Sequence, residues 1–178
     1  MSPQPLENQI GEILHSKKMK LTFAESCTGG LCGHRITNVP GSSDYYLGSI
    51  TAYAYEVKEH LLGVRHQTLE TNGAVSRKCV LDMARGVRKA LGGGFPLAEI
   101  LGVSISGIAG PGGGTSEKPV GTVWIGMSAP DGEWAWHFCW KGDRLQNKED
   151  SAQAALQLVI DYLMGKLPPE TWSGENLN

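Results

Sequence analysis

No run of about 18 apolar residues occurs in the 178-residue chain, so no segment reads as a membrane span. The first residues, MSPQPLENQIGEILHSKK, hold no apolar block of the secretory kind. Charge of one sign is not in excess: the formal net charge is -2, which argues against a nucleic-acid binder with its basic face. Lys17, Lys18 and Lys20 make a short basic patch that reads as a solvated helix end. Four cysteines, Cys27, Cys32, Cys79 and Cys139, form no CxxC pair and show no zinc-type spacing to histidine. The five histidines (His15, His34, His60, His66, His137) are scattered and carry no metal signature. Reduced thiols in a cytoplasmic protein, with no metal and no cofactor, are the expectation. A Gly-x-Ser-x-Gly elbow is missing, and GPGGGTSEK lacks the Gly-Lys-Ser/Thr ending of a Walker loop.

What is present is an ordinary globular composition, 40% hydrophobic and 19% charged, enough for one core. Leu6, Ile10, Ile13 and Leu14 recur at helical spacing, and LTFAE follows as a short buried strand. A second helix spans about Gly30 to Asn38 and stops at Pro40-Gly41. GSITAYAY reads as a strand, and EVKEHLLG as a short helix ended by Gly63. Ser76 is a plausible N-cap for a long apolar stripe, Cys79 to Leu91, closed by three glycines. AEILGVSISG is a buried strand, and two β-rich runs meet at the turn Pro130-Asp131-Gly132 as a hairpin. Trp134, Trp136, Phe138 and Trp140 alternate along its second arm and read as packing rather than a stacking platform for bases. A last helix carries Ala152, Ala155, Leu156, Val159, Ile160 and Leu163 on one side. The expected architecture is α/β, a three-layer α/β/α sandwich with a mixed sheet, as one domain over residues 1–166. Residues 167–178 read as a tail or a partner-contacting arm.

Three stretches carry candidate chemistry. In FAESCTGG, Ser26 stands where a strand yields to a helix, beside free backbone N–H groups of Cys27, Thr28 and Gly29 that can hold an oxyanion. The plainer alternative is that Ser26 or Thr28 caps the helix. Cys27 is a second possible nucleophile, without an evident histidine partner. In YAYEVKEHLLGV, Lys58 is a candidate base for Ser26, or else a surface lysine. An ordinary lysine, with a pKa of about 10.4, is almost wholly charged at pH 7, so a base role requires burial or a cationic neighbour. In SGIAGPGGGTSEKP, Ser106, Gly110, Gly112, Gly113, Gly114 and Thr115 offer unobstructed donors that can cradle a phosphate, carboxylate or amide, or make a plain turn. Arg144 in WKGDR sits where it can meet an anion or a surface carboxylate.

Taken together, AESCTGG, GSITAYAYEVKEHLLGV, GAVS with MARGV, SGIAGPGGGTSEKPVGTVW and GDR resemble the CinA carboxy-terminal domain family. Its characterised members are nicotinamide mononucleotide amidases. The resemblance implies an α/β sandwich that hydrolyses nicotinamide mononucleotide to the nicotinic acid form plus ammonia, without a metal. It puts the nucleophile on Ser26, the catalytic lysine on Lys58 and the tyrosine of the family's Tyr-Ser-Asn-Glu-Val-Lys stretch on Tyr53, with Tyr53 and Ser106 counted among the catalytic residues. Ser106 stands for a threonine, Tyr55 for an asparagine and Lys148 for a second arginine. Gly110 to Thr115 and Arg144 would orient the nucleotide. Larger members carry an upstream nucleotide-hydrolysing domain, which is not expected in this chain. A homodimer is expected, with a small nucleotide as substrate and neither nucleic acid nor membrane as partner. Two alternatives to the amidase are a catalytically silent nucleotide-binding regulatory module and an amidase for another small amide.

Overall fold

Apolar alternation and helical stripes build five strands and six helices in a computed structural model that describes residues 4–174. In chain order they are α1 (Leu6–Lys17), β1 (Lys20–Glu25), α2 (Leu31–Thr37), β2 (Tyr46–Thr51), α3 (Tyr55–Leu62), α4 (His66–Asn72) and α5 (Arg77–Ala90). Then come β3 (Ile100–Gly107), β4 (Thr122–Ala129), β5 (Gly132–Cys139) and α6 (Arg144–Leu163). The sheet order is β2-β1-β3-β4-β5. β1 runs parallel to β2 and β3, while β3, β4 and β5 pair antiparallel, so the sheet is mixed. The Pro130-Asp131-Gly132 signal does make the β4–β5 hairpin, with Ala129 opposite Gly132.

Strand alternation divides the core between two helical layers. Phe23, Ile105, Trp136 and Phe138 face α1, α2 and α6, and each is fully buried. Ala24 and Ala52 face the other way, against Leu62, Met83 and Val87 of α3 and α5. The result is the expected three-layer α/β/α sandwich. Ser76 caps α5 by accepting from the Cys79 N–H at 3.2 Å. No helix among the described residues is long and apolar enough to cross a membrane.

Three details differ from the sequence expectations or extend them. β2 ends at Thr51, so Tyr53 lies in a loop and Tyr55 opens α3, instead of both alternating along a strand. The last ladder bond there is Ala52 N–H to the Glu25 carbonyl, after which the chain leaves the sheet. α4, with only Thr68 and Leu69 buried, is too short to show a periodic stripe and was not anticipated. The segment after α6 lies against β5. Glu170 accepts from the Ala135 N–H at 2.7 Å and from Arg77 at 2.8 Å, and Trp172 packs edge-on to Phe138. Residues 175–178 of the expected tail lie outside the described residues.

The layer holding α3 depends on one close approach. A Cβ on Gly86 of α5 would stand 1.9 Å from the carbonyl oxygen of Leu62, at the end of α3. Gly86→Ala gains about 1 kcal/mol of helix propensity, yet the backbone clash dominates, as overpacking costs typically about 1–3 kcal/mol. Urea unfolding is expected to show a lower midpoint with an unchanged slope.

Candidate active site

At the end of β1, alternation sends neighbouring side chains to opposite layers. Glu25, fully buried, turns toward α2, and Ser26, 8% exposed, turns toward α3. The Glu25 carboxylate accepts from the Thr28 hydroxyl (2.8 Å) and from the N–H groups of Gly30 (3.1 Å), Cys32 (3.1 Å) and Gly33 (2.9 Å). The Ser49 hydroxyl reaches the same group at 3.4 Å. These backbone donors are ones that a helix start leaves unpaired. The turn between is drawn by Gly29 and Gly30, at φ of 64° and 100°, values that disfavour a side chain.

Lys58 lies on the inner face of α3 and is 1% exposed. Its Nζ is 2.6 Å from the Ala52 carbonyl oxygen, 3.1 Å from that of Tyr53 and 3.0 Å from Ser26 Oγ. Burial holds its pKa below the ordinary lysine value of 10.5. No ion pair among the described residues involves it. An ammonium group donates to all three oxygens. A neutral amine keeps two N–H bonds for the two carbonyls, and its lone pair is left for the serine hydroxyl.

Ser26, Cys27, Tyr53, Tyr55, Lys58 and Ser106 line one cavity of about 210 Å³, with Ala74, Val75, Gly107 and Ala109 completing the wall. Tyr55 Oη accepts from the Ala74 N–H at 3.4 Å. Tyr53 Oη accepts from Arg144 Nη2 at 3.0 Å, and Arg144 Nη1 donates to the Gly110 carbonyl at 2.5 Å. Arg144 thus ties Tyr53 to the base of the glycine loop. Gly110 itself is buried, whereas Gly112, Gly113, Gly114 and Thr115 are exposed and do not line this cavity. Gly29 N–H already donates to the Ser26 carbonyl, which removes it from the expected oxyanion set. Among the described residues no backbone or side-chain oxygen accepts from the N–H of Cys27 or Thr28, and both face the Cys27 sulfur, a weak acceptor. Lys148 Nζ stands 3.9 Å from where a Cβ on Gly29 would be.

Sequence reasoning passed over two buried residues here. Glu25 had a signal: an acid directly after the four buried residues LTFA of a strand must point inward or lie at its end. Asn147, 1% exposed, donates to the Ala109 carbonyl and accepts from the Gly142 N–H, pinning the loop beside the cavity to α6, and no motif announces it. A larger hollow of about 390 Å³ lies at the opposite end of the sheet, between α5, Ser128 and Glu133. Two of its three cations are already engaged: Arg85 pairs with Asp82 and Glu133, and Arg88 donates to the carbonyls of Leu97, Ile100 and Ala129, while the exposed Lys89 stands at its edge. Among the described residues no three His, Cys, Asp or Glu gather as a metal site.

The thiols separate from the hydroxyl. Burial pushes the Cys27 thiol up to about 12 and that of Cys79 to about 11, and Cys32 is raised as well. None of the three is a thiolate at neutral pH. A disulfide reagent such as DTNB at pH 8 should therefore modify one thiol of the folded protein, mapping to the exposed Cys139. The other three are expected to react only after denaturation, as counted by absorbance and peptide mass.

The family model of the CinA C-terminal domain matches residues 3–163. CinA-like proteins of Desulfosudis oleivorans and Salinibacter ruber are each 48% identical, over 91% and 85% of this chain. The chain spans little more than a third of their length, 37% and 35%. A competence-damaged protein (CinA) superfamily structure from Klebsiella pneumoniae superposes with a TM-score of 0.83 at 28% identity, covering 90% of this chain and 96% of that one. The competence/damage inducible protein CihA from Agrobacterium tumefaciens gives 0.80 at 33% identity, over 92% and 99%. On sequence and on fold alike, the chain belongs to the CinA C-terminal domain family.

Proposed function

We propose that the protein is an amidohydrolase that converts nicotinamide mononucleotide to nicotinic acid mononucleotide and ammonia through an acyl-enzyme on Ser26. One observation carries this: the 3.0 Å contact between Lys58 Nζ and Ser26 Oγ, with Lys58 1% exposed and its pKa lowered by burial. Membership of the CinA family supports it through the amidases that the family contains. In the first half-reaction neutral Lys58 takes the Ser26 proton as Oγ bonds to the carboxamide carbon. The N–H groups of Cys27 and Thr28 hold the oxyanion. Lys58 then passes the proton to the leaving nitrogen, the carbon–nitrogen bond breaks and ammonia departs. In the second half-reaction Lys58 takes a proton from water as the hydroxide attacks the ester carbon; the bond from that carbon to Oγ then breaks, and Lys58 returns the proton to Ser26. Tyr53 and Ser106 present hydroxyls in the cavity, and Arg144 with Lys148 supplies positive charge toward a phosphate.

Tyr55 favours a second reading. Its ring stands on the wall of a cavity of only about 210 Å³, which suits an amide smaller than a nucleotide. Purified protein supplied with nicotinamide mononucleotide, other pyridine nucleotides and simple amides is expected to release ammonia fastest from the first. A better simple amide favours the second reading. No release from any, with folding confirmed, points to a silent binding module. Ser26→Ala should lower kcat by about four orders of magnitude or more, whereas Cys27→Ala should keep most of it.

The pH dependence has a fixed sign. The base must be uncharged, so kcat/KM rises with pH as Lys58 loses its proton. Burial lowers that pKa, so the midpoint of the rise should lie below the ordinary lysine value of 10.5. A profile still climbing with unit slope past that value would remove Lys58 as the base.

A further inference from the structure

We infer that Glu25 is a positioning residue for this reaction: its buried carboxylate holds the turn that presents Ser26 and the two oxyanion donors. The inference rests on the serine amidase reading above. Glu25 touches neither Ser26 Oγ nor Lys58, and its side chain lies on the other side of the sheet from them. Its oxygens are nevertheless the anchor of the segment that follows. Oε2 takes the Thr28 hydroxyl and the N–H groups of Gly30 and Cys32, while Oε1 takes the Gly33 N–H. The chain from Ser26 to Gly33 therefore folds back onto the residue just before it.

This arrangement decides which donors remain. The N–H groups of Gly30, Cys32 and Gly33 are consumed by Glu25, and that of Gly29 by the Ser26 carbonyl. Within this turn the N–H groups of Cys27 and Thr28 have no oxygen acceptor among the described residues; the Cys27 sulfur that they face accepts only weakly and can yield them to an oxyanion. A carboxylate suits the position because it accepts on both oxygens and is favoured at the positive end of α2. A carboxamide does not. Whichever way Gln is turned, its NH₂ faces either the Gly33 N–H or those of Gly30 and Cys32, donor against donor. Relaxing that conflict moves the turn, and preorganised donors lose much of their effect when displaced.

Because oxyanion donors act in the transition state, Glu25→Gln should lower kcat by about 10²-fold with KM within about twofold. A purely structural role would instead lower melting temperature while leaving kcat per folded molecule unchanged. The pH midpoint set by Lys58 should not move. A second readout needs no amide substrate: sulfonylation of Ser26 by phenylmethylsulfonyl fluoride, followed by intact mass, should slow by at least about tenfold. If the native protein is labelled at Ser26 but deamidates no pyridine nucleotide, the substrate reading fails and slowed labelling of Glu25→Gln still supports the inference. Should Glu25→Gln fold poorly, Thr28→Val deletes only the 2.8 Å hydroxyl contact and is expected to lower kcat about tenfold at unchanged KM. A folded Glu25→Gln that turns over and labels at the native rate overturns the inference. So does a native kcat for Thr28→Val where Glu25→Gln does not fold.

Discussion

The structure turns on an amine kept away from water. Carrying an ammonium ion into a protein interior costs several kcal/mol even after relaxation, so a buried lysine is pressed toward its neutral form. The partners of Lys58 suit that form, two carbonyls for the two N–H bonds of a neutral amine and a hydroxyl for its lone pair. The surrounding chain is arranged to make this contact. β2 must stop at Thr51 so that the carbonyls of Ala52 and Tyr53 leave the ladder, and α3 must start at once so that its first turn brings Lys58 back over them. Gly63, at φ of 64°, ends α3, and Gly86 lets that end settle against α5.

A carboxylate in the wrong place would undo the arrangement. An acid beside Lys58 would stabilise its charge and remove the lone pair that the proposed base role needs. Glu25 is one residue from Ser26 and fully buried, yet strand alternation directs it to the other layer, where it binds the start of α2. Two buried ionisable groups, Glu25 and Lys58, thus lie on opposite sides of the sheet, each with its own set of partners. Their separation rests on the two-residue repeat of β1 and on the layers that cover both of its faces.

Much of the frame was written in local patterns. The α1 stripe, the Ser76 cap, the Pro130-Asp131-Gly132 hairpin and the aromatic alternation of β5 all follow from periodicity and turn chemistry, and each is observed. The failures were also local in cause. Tyr53 and Tyr55 have strand propensity and alternate correctly, but Ala52 spends the last ladder bond and the chain departs. α4 offers seven residues with two buried, too few for a helical period to show. At the site, the glycine loop was legible as a donor-rich turn. Its exposed tip, from Gly112 to Thr115, nevertheless lies away from the cavity wall, while Gly110 is held through Arg144.

The amino-acid order by itself determined the layers, the serine at a strand end and the lysine in an early turn of a helix, because these depend on periods of a few residues. It could not determine that Lys58 is buried, that Ser26 is its neighbour across 32 positions, or that Glu25 rather than a solvent shell satisfies the start of α2. Those facts depend on β1 and β2 lying side by side and on α3 pressing down beside them. Desolvation is a property of what surrounds a group in space, and the groups that surround Lys58 come from distant parts of the chain.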